Sequence, residues 1–195
     1  MLLSIVHIGE AAFPTRYGKF RIHAFRDPKG GEHLVLVRCM HPPHGPIPVR
    51  IHSRCLTGDA LTSKRCDCRA QLETSMRYLE THKCGMLIYL DQEGRGIGLA
   101  NKIKAYALQD QGMDTVEANL KLGFDEDQRD FTIATDILKY FGVKEIELLT
   151  NNPNKVRVVG WHGIKVVRRI PLVIKPTKYN AKYLETKKKK MNHLL

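Results

Sequence analysis

Short apolar runs alternate with helix-like segments through the second half of the chain, and this alternation constrains its fold more than any other feature. Residues 86–90 predict a buried strand, and residues 145–150 predict another. Apolar residues at helical spacing predict a helix that ends near Gln111 and a second helix over residues 131–141. Strands that alternate with helices in this way form a sheet covered by helices.

The first 50 residues have a different pattern, that of short strands broken by turns. Residues 35–37 follow the turn-like residues 27–31, and the prolines within residues 41–46 exclude a helix interior there. A further helix is predicted over about residues 70–82, before Gly85. An antiparallel N-terminal part and a helix-covered remainder together predict a mixed α/β (α+β) fold in a single compact domain.

The formal net charge of +12 is concentrated near the C-terminus. Residues 175–195 hold seven lysines and one glutamate, which is half of the excess. A run such as residues 187–190 is typical of a solvated helix face or tail, and the remaining charge suits a polyanionic small substrate at least as well as a duplex. We expect one domain over residues 1–174, with the basic segment 175–195 as part of the same domain.

The apolar runs of the chain are short. None approaches the ~20 residues that a membrane-spanning helix needs, and the N-terminal residues lack the uninterrupted apolar stretch of a secretory signal. We therefore expect a cytoplasmic protein that has no membrane partner.

Three of the five cysteines lie within fourteen residues. Cys55, Cys66 and Cys68 have the spacing C-x10-C-x-C, and thiolates are strong zinc ligands. Three protein ligands leave a fourth position for water, as in catalytic zinc sites, whereas a fourth ligand such as Cys39 or His52 would close a structural site. The spacing leaves both alternatives open. The odd number of cysteines without a secretory signal argues against a disulfide framework. A redox disulfide between Cys66 and Cys68 is disfavoured as well, because the C-x-C spacing would strain it.

Residues 93–98 form a glycine-rich turn between a predicted strand and a predicted helix. The glycines let backbone N–H groups approach a phosphate, the helix N-terminus adds a favourable dipole, and Arg95 can bind phosphate through two hydrogen bonds. Residues 150–155 follow another strand and offer hydroxyl, amide and ammonium donors. Each segment is also compatible with an ordinary strand-to-helix turn and a helix cap.

Residues 125–130 form a dense charged loop that contains Asp127 and Arg129. A carboxylate and a guanidinium side by side can serve as a proton acceptor and a phosphate ligand. Acidic residues also begin many solvated helices, so this alternative stays open. Tyr106 lies on the apolar face of its predicted helix, where a core residue with a satisfied hydroxyl is the default interpretation.

These segments resemble those of the GTP cyclohydrolase II family, which begins riboflavin synthesis. The resemblance runs from about Arg50 to the C-terminus. Its family-specific motifs are H-S-x-C-L-T-G-D-A with R-C-D-C, Q-E-G-R-G-I-G-L, A-Y-A-L-Q-D-Q-G, D-T-V-E-A-N and L-T-N-N-P, in that order. It implies hydrolysis of GTP at C8 of the guanine ring, with release of formate and pyrophosphate and formation of 2,5-diamino-6-(5-phosphoribosylamino)pyrimidin-4-one.

The resemblance also implies a metal site, a substrate site and an assembly. One zinc ion per chain would be held by Cys55, Cys66 and Cys68, Mg2+ would accompany the triphosphate, and the protein would be a homodimer. The residues implied to contact GTP are Arg50, Ile51, His52, Ser53, Arg54, Gln71, Glu93, Gly94, Arg95, Thr115, Thr150 and Lys155.

Three catalytic residues follow from the same resemblance. Asp127 would accept a proton, Arg129 would be the nucleophile toward the α-phosphate, and Tyr106 would assist ring opening. The chain departs from the family pattern at two positions: Arg54 stands where Glu is usual, and Arg69 stands where Gly is usual. These departures lie beside the metal and substrate positions, so they bear on activity.

Two other functions remain as alternatives. The first is a catalytically idle homologue that binds GTP without opening its ring, suggested by Arg54 and Arg69. The second is a zinc-stabilised nucleic-acid-binding protein that uses the lysine-rich C-terminus and has a closed, four-ligand zinc. Nucleic acid is not the partner that we expect, because the charge outside the C-terminal segment is modest.

Overall fold

A computed structural model describes residues 4–39 and 45–194, and in this part of the chain one sheet of seven strands carries helices on both faces. The strands are β1 (Val6–Thr15), β2 (Gly18–Arg26), β3 (Glu32–Val37), β4 (Ile47–Ser53), β5 (Met86–Leu90), β6 (Glu145–Leu149) and β7 (Lys165–Ile170). The helices are α1 (Leu56–Asp59), α2 (Cys68–Glu80), α3 (Gly98–Asp110), α4 (Thr115–Lys121), α5 (Thr132–Tyr140), α6 (Pro153–Trp161) and α7 (Ala181–Lys190). None of these helices is long and apolar enough to cross a membrane.

The sheet has the strand order β1-β2-β3-β5-β4-β6-β7. The pairs β1–β2, β2–β3 and β3–β5 are antiparallel, whereas β5–β4, β4–β6 and β6–β7 are parallel. The predicted mixed α/β fold with an antiparallel N-terminal part is therefore confirmed. Strand β4 has its successor β5 on one side and β6 on the other, and ligands of open α/β sheets bind at the carboxyl ends of strands at such a position.

Side chains alternate between the two faces of the sheet, as the period of a strand requires. Leu36 and Leu87 face α2, whose Leu79 is fully buried against them. Val35 and Ile88 face the other side, where they pack into the larger core together with α5 and α6. Shortening a fully buried leucine such as Leu79 to alanine costs about 2–5 kcal/mol, so each face contributes to stability.

The same alternation places polar groups in the centre of the sheet. Val49 and Ile51 of β4 belong to the larger core, whereas Arg50 and His52 point to the α2 face. Arg50 NH2 donates to Oε1 of Gln71 on α2 at 2.7 Å. Burying a guanidinium is costly unless it is compensated, so these central residues make the end of this strand a candidate for a functional site.

Most predicted elements agree with the structure. The predicted strand 86–90 is β5, and the ends of α2 and α5 lie within two residues of the predicted ends. Helices α1, α4 and α7 were not among the predicted elements. The interpretation of residues 41–46 falls mostly outside the described residues. Strand β7 ends at Ile170, because Pro171 cannot donate a ladder hydrogen bond.

The structure pairs Cys39 and Cys84 in a disulfide, which the odd cysteine count did not lead us to expect. Strands β3 and β5 are antiparallel with Val37 opposite Met86, and continuing this register places residue 39 opposite residue 84. Their Cα atoms are 4.8 Å apart, a distance typical of directly opposed residues. The pair therefore follows from the strand register, which cysteine counting does not use.

Candidate active site

A cleft lies at the carboxyl ends of the parallel strands β4, β5 and β6. Strand β4 leads into Cys55, β5 leads into the turn Glu93–Gly96, and β6 leads into Thr150. The predicted site residues all line this cleft except Ile51, whose side chain faces the core, and Asp127, which lies directly behind the lining. The structure therefore brings together segments that are far apart in the sequence.

The three predicted zinc ligands converge at one end of the cleft. The thiols of Cys55, Cys66 and Cys68 have all their sulfur atoms within 4.8 Å of one another, and the Cys55 and Cys66 sulfurs are 3.8 Å apart. Two thiolates on a tetrahedral zinc at 2.3 Å would be about 3.8 Å apart, so this spacing fits the ion. We call this group the thiol cluster.

Gly58, in the short helix α1, makes room for the thiol cluster. A Cβ atom at this position would lie 2.8 Å from the Cys66 sulfur and 3.1 Å from the Cys55 sulfur. Real Cβ atoms do not approach other atoms at the shorter distance, so the Cys66 side chain would have to shift. The close approach of this backbone is thus a further sign of a compact site built around the three sulfurs.

The electrostatic environment of Cys55 favours a thiolate. Hydrogen bonds with Cys66 and then Cys68 hold the pKa of Cys55 far below its usual range, and the Lys102 ammonium, 3.1 Å from the sulfur, adds to this effect. The same hydrogen bonds raise the pKa values of Cys66 and Cys68. Holding all three sulfurs as thiolates would therefore require a cation among them, as a divalent metal would supply.

Lys102 and Glu93 form the supporting layer of the thiol cluster. Burial opposes the charge of Lys102, but its hydrogen bond to Glu93 and the neighbouring Cys55 raise its pKa. Its Nζ donates to Glu93 Oε1 at 2.7 Å, and Glu93 Oε2 accepts from the backbone N–H of Leu56 at 2.6 Å. Lys102 was missed from the sequence, although it lies four residues before the predicted Tyr106 on α3 and therefore on the same helix face.

Neither of the fourth ligands considered from the sequence is available to the thiol cluster. Cys39 is in the disulfide with Cys84. Nε2 of His52 lies 3.1 Å from Oδ2 of Asp59, which also accepts from the backbone N–H of Cys55. No other His, Cys, Asp or Glu side chain joins the cluster in residues 4–39 and 45–194.

Tyr106 points into the cleft beside the sulfurs. Its hydroxyl is 3.2 Å from the hydroxyl of Thr57, which is 3.7 Å from the Cys55 sulfur. Burial raises the pKa of Tyr106, so the phenol keeps its proton at neutral pH. The side chain is thus a lining residue with a proton-bearing group near the thiol cluster, rather than an ordinary core tyrosine.

The other end of the cleft is crowded with cations. Burial lowers the pKa of Arg50 to about 10, although two of its nitrogens donate, at 3.0 Å to the carbonyl of Leu149 and at 2.7 Å to Gln71. Burial, with the nearby Arg50 and Arg129, holds the pKa of Lys155 well below its ordinary value. Its Nζ donates to the carbonyl of Ile51 at 2.8 Å, so Ile51 contributes through its backbone.

Arg95 is held in a strained backbone conformation. Gly94 and Arg95 have φ values of 62° and 63°, in the left-handed region that favours glycine. Both terminal nitrogens of the Arg95 guanidinium are buried, and neither has a hydrogen-bond partner among the residues described. Buried donors without partners cost about 1–3 kcal/mol each, so the arrangement is suited to a ligand that supplies acceptors.

The charged loop packs against this turn. The backbone N–H of Gln128 donates to the carbonyl of Arg95 at 3.1 Å, and a Cβ atom on Gly96 would lie 3.1 Å from the Gln128 backbone. Arg129 forms a bidentate ion pair with Asp127: its Nε donates to Oδ1 at 2.7 Å, and its NH2 donates to Oδ2 at 2.5 Å. Burial alone would raise the pKa of Asp127, but the hydrogen bonds from Arg129 lower it. In this arrangement the carboxylate is a weak base.

The remaining predicted positions lie at the sides of the cleft. Thr115 is the first residue of α4, whose cap is a reciprocal pair of hydrogen bonds between Asp114 and Glu117. Thr150 Oγ1 accepts from the backbone N–H of Asn152 at 3.0 Å, just before α6. Both segments begin a helix, which is the ordinary turn-and-cap interpretation given above for residues 150–155. Thr115 and Thr150 nevertheless also line the cleft.

The two unusual arginines have different surroundings. Arg54 lines the cleft at its rim and pairs with Asp91 at 2.8 Å. Arg69 does not line the cleft: its Nε donates to Glu73 at 2.9 Å along the outer side of α2, and NH1 donates to the carbonyl of Asp59. Only Arg54 therefore places extra charge where a substrate would bind.

The C-terminal segment, defined as residues 181–194, also reaches the cleft. Tyr183, Lys187 and His193 line it, and the Lys187 ammonium is 2.9 Å from Oδ1 of the buried Asp67. The expectation of a solvated lysine run fits Lys188 but not Lys187, which is buried. No signal in the sequence could have revealed this pair, since its partners are 120 positions apart.

The lining residues of the cleft include eight lysines or arginines and two carboxylates. The fold and this cleft together define a class of protein, a mixed α/β enzyme that places potential metal ligands beside a cleft rich in cations. Comparison with known proteins gives the family. The family model described as GTP cyclohydrolase II matches residues 6–171.

Three curated relatives agree with this match. The chain is 52% identical over 185 residues to a GTP cyclohydrolase-2 of Picrophilus torridus, across 95% of this chain and 96% of that protein. It is 54% identical to a GTP cyclohydrolase-2 of Campylobacter hominis, across 95% and 93%. It is 50% identical to one of Neisseria meningitidis, across 97% and 96%. The chain belongs to the GTP cyclohydrolase II family, and it is a hydrolase of riboflavin synthesis.

Proposed function

We propose that the protein hydrolyses GTP at C8 of the guanine ring, releasing formate and pyrophosphate and leaving 2,5-diamino-6-(5-phosphoribosylamino)pyrimidin-4-one. One observation carries the proposal: a single cleft holds three converging thiols at one end and several cations at the other, where Arg95 and Lys155 form no ion pair with any of the described residues. A nucleoside triphosphate is a substrate with matching ends, a ring to hydrolyse and a polyanion to bind.

Cys55, Cys66 and Cys68 are the proposed zinc ligands. The support is the 3.8 Å sulfur separation, the room left by Gly58 and the lack of a fourth protein ligand in the described chain. When bound, zinc with an open position supplies Lewis-acid activation of water for hydrolysis. Lys102, which donates to the Cys55 sulfur, would hold that ligand in its thiolate form.

The cations at the other end are the proposed triphosphate ligands. Arg95 has two buried nitrogens that lack partners, and the charge of Lys155 is opposed by Arg50 and Arg129 around it. A triphosphate would relieve both costs, because it supplies acceptors and negative charge together. Mg2+ on the triphosphate would share in that neutralisation.

Asp127 and Arg129 are proposed to exchange partners when GTP binds. With Arg129 on Asp127, the carboxylate is a weak base because its pKa is lowered. If Arg129 turns to the α-phosphate, Asp127 loses that hydrogen bond and becomes a better proton acceptor. We propose Arg129 as an essential phosphate ligand, since a nucleophilic role would require an arginine that stays protonated at ordinary pH to lose its proton.

Tyr106 is proposed to act on the ring-opening step. Its hydroxyl lies among groups at the thiol end, 3.2 Å from Thr57, and its raised pKa keeps the proton on the oxygen. A protonated phenol can donate to a nitrogen or oxygen of the reacting ring as charge develops there. Its replacement by Phe should therefore slow formate release more than it weakens GTP binding.

The test is to incubate the zinc-loaded protein with GTP and Mg2+ and to assay formate, pyrophosphate and the diaminopyrimidine together. We expect all three products, and we expect Cys66→Ser to lose zinc and formate release. The matched control is the double variant Cys39→Ser, Cys84→Ser, which removes two sulfurs outside the thiol cluster. It should keep its zinc and its activity.

Other outcomes would favour other functions. Pyrophosphate without formate would mean that the phosphate end works while ring opening fails. GTP binding with no product would favour the idle homologue. DNA binding that falls steeply with salt, together with no GTP binding, would favour the nucleic-acid alternative. The homodimer stays a prediction that sedimentation of the purified protein can test.

A further inference from the structure

The C-terminal segment is attached to the body of the protein by specific contacts. Lys190 pairs with Asp114 and with Glu117, the capping residues of α4, and the second contact is 3.0 Å long. Lys182 Nζ donates to the carbonyl of Gly112 at 2.8 Å. These contacts hold α7 across the end of α3 and the start of α4, on one side of the cleft.

Lys187 carries the segment to the loop of the thiol cluster. Its Nζ lies 2.9 Å from Oδ1 of Asp67, the residue between two of the proposed zinc ligands, and both side chains are buried. Oδ2 of Asp67 accepts from Gln71, which in turn accepts from Arg50. One chain of hydrogen bonds thus links α7 to both ends of the cleft.

After α7 the backbone turns back toward the cleft. Asn192 has a φ of 53°, a left-handed conformation that asparagine tolerates better than most residues. The backbone N–H of His193 then donates to the carbonyl of Lys187 at 3.0 Å, and that of Leu194 donates to the carbonyl of Asn151 at 2.9 Å. These two bonds fix His193 between α7 and the loop that follows β6.

The imidazole of His193 is surrounded by cations. Its Nε2 is buried, and no hydrogen-bond partner for it exists in the part of the chain that the structure describes. Lys187, Arg129, Lys155 and Arg95 are the charged groups around it. Burial and these four cations lower its pKa to about 3. The free protein therefore holds a neutral ring at a position where the surrounding positive charge favours an anion.

We propose that His193 is a phosphate-binding residue of the active site, and that Lys187 is the positioning residue that keeps the C-terminal segment, and with it His193, in the cleft. The proposal rests on the proposed function for the identity of the ligand, the triphosphate of GTP. The segment is then part of the active site rather than a solvated tail. A phosphate oxygen beside Nε2 would give this nitrogen its missing partner.

The decisive variant is His193→Ala, because it leaves the Lys187–Asp67 pair in place. Binding is measured on zinc-loaded, full-length protein by calorimetry with two probes, guanosine 5′-[α,β-methylene]triphosphate and guanosine, which has no phosphate. We expect affinity for the triphosphate to fall about tenfold, the loss of one hydrogen bond to a charged group, while affinity for guanosine changes little. A merely structural role would weaken both ligands equally.

Lys187→Met tests the positioning role. It should weaken triphosphate binding at least as much as His193→Ala, and adding His193→Ala to it should cause little further loss, because the ring has already left the cleft. The matched control is Lys188→Met, which removes the same charge from an exposed position of the same helix. Zinc content is measured in each variant, since Lys187→Met leaves Asp67 buried without its cation.

Two results would overturn the inference: triphosphate affinity of His193→Ala equal to that of Lys188→Met, or equal losses for the triphosphate and guanosine. Fully additive losses in the double variant would remove the positioning role of Lys187. A failure of the proposed function is a separate result, because it would appear as wild-type protein that binds the triphosphate analogue but releases no formate from GTP.

Discussion

The two ends of the cleft are built in opposite ways. At the thiol end, the side chains around the sulfurs form pairs: Lys102 bonds Glu93 and Cys55, and His52 bonds Asp59. At the cation end, guanidinium and ammonium groups crowd together, and Arg95 has no partner for its terminal nitrogens among the described residues. The first end lacks a cation among its sulfurs, while at the second Asp127 is paired with Arg129, and Arg95 and Lys155 are left without a counter-charge among the described residues.

This difference indicates which end of the cleft depends on the bound substrate for its stability. A thiol cluster held by a supporting layer can keep its geometry before substrate arrives, whereas repelling cations are held in place by the fold at a cost. Binding of the substrate should therefore stabilise the cation end more than the thiol end. Zinc removal and substitutions at Arg95, His193 and Arg69 test this difference between the two ends.

Removal of zinc with a chelator should lower formate release by at least about a thousandfold, because water activation is lost. The rise in melting temperature that inorganic triphosphate causes should remain, since the cation end does not contain the metal ligands. Scanning calorimetry with and without triphosphate measures this rise in melting temperature. Added zinc should restore formate release. If the triphosphate effect disappeared with the metal, the two ends would not be independent.

Arg95→Met should weaken binding of inorganic triphosphate by about ten- to a hundredfold, because two charge-assisted hydrogen bonds are lost. Arg65→Met is the matched control: Arg65 also lines the cleft, but it already pairs with Asp110 at 2.6 Å. Titration calorimetry compares the two. Equal losses would mean that net charge, rather than the unpaired guanidinium, determines affinity.

The pH dependence of stability should reveal His193. Its pKa is lowered to about 3, whereas in the unfolded chain it is near 6.5, so acid protonates the unfolded state first. The stability it contributes is present above pH 6.5 and is lost as the pH falls toward 3. Relative to His193→Gln, the wild type should lose about 1 kcal/mol in free energy of unfolding between pH 6.5 and 5.5. Urea unfolding at both pH values measures this, and parallel curves would contradict it.

Arg69→Ala should have the smallest effect. Its side chain is directed along the outer side of α2 toward Glu73, so formate release should stay within about twofold of the wild type. Losing the exposed pair should cost less than about 1 kcal/mol in stability. Steady-state kinetics with Arg54→Ala as the comparison would show which of the two unusual arginines matters, and a large loss for Arg69→Ala would place its charge nearer the metal than we infer.

The thiol end could largely be predicted from the sequence, because its ligands are close together in the chain. The spacing of Cys55, Cys66 and Cys68 indicated a metal site without any knowledge of the fold. Helix α4 could also be predicted from the sequence, because Asp114 and Glu117 have the spacing of a capping box, which marks the start of a helix.

The cation end could be predicted only in part. Glycines and an arginine after a strand suggested phosphate binding, but sequence patterns do not report burial. That Lys187 pairs with Asp67, and that His193 reaches Arg95 and Arg129, depends on long-range packing that follows no local period. The Cys39–Cys84 disulfide was missed for a similar reason, since strand register had to be known first.

Gly58 has a consequence for how functions are transferred between relatives. It has no side chain to bind a ligand, yet a methyl group there would collide with the Cys66 sulfur and lie in tight contact with the Cys55 sulfur. A homologue could keep all three cysteines and still be unable to load zinc if this glycine were replaced. Genome surveys that judge activity by the cysteines alone would then count such a chain as an enzyme, and checking this glycine would separate the two.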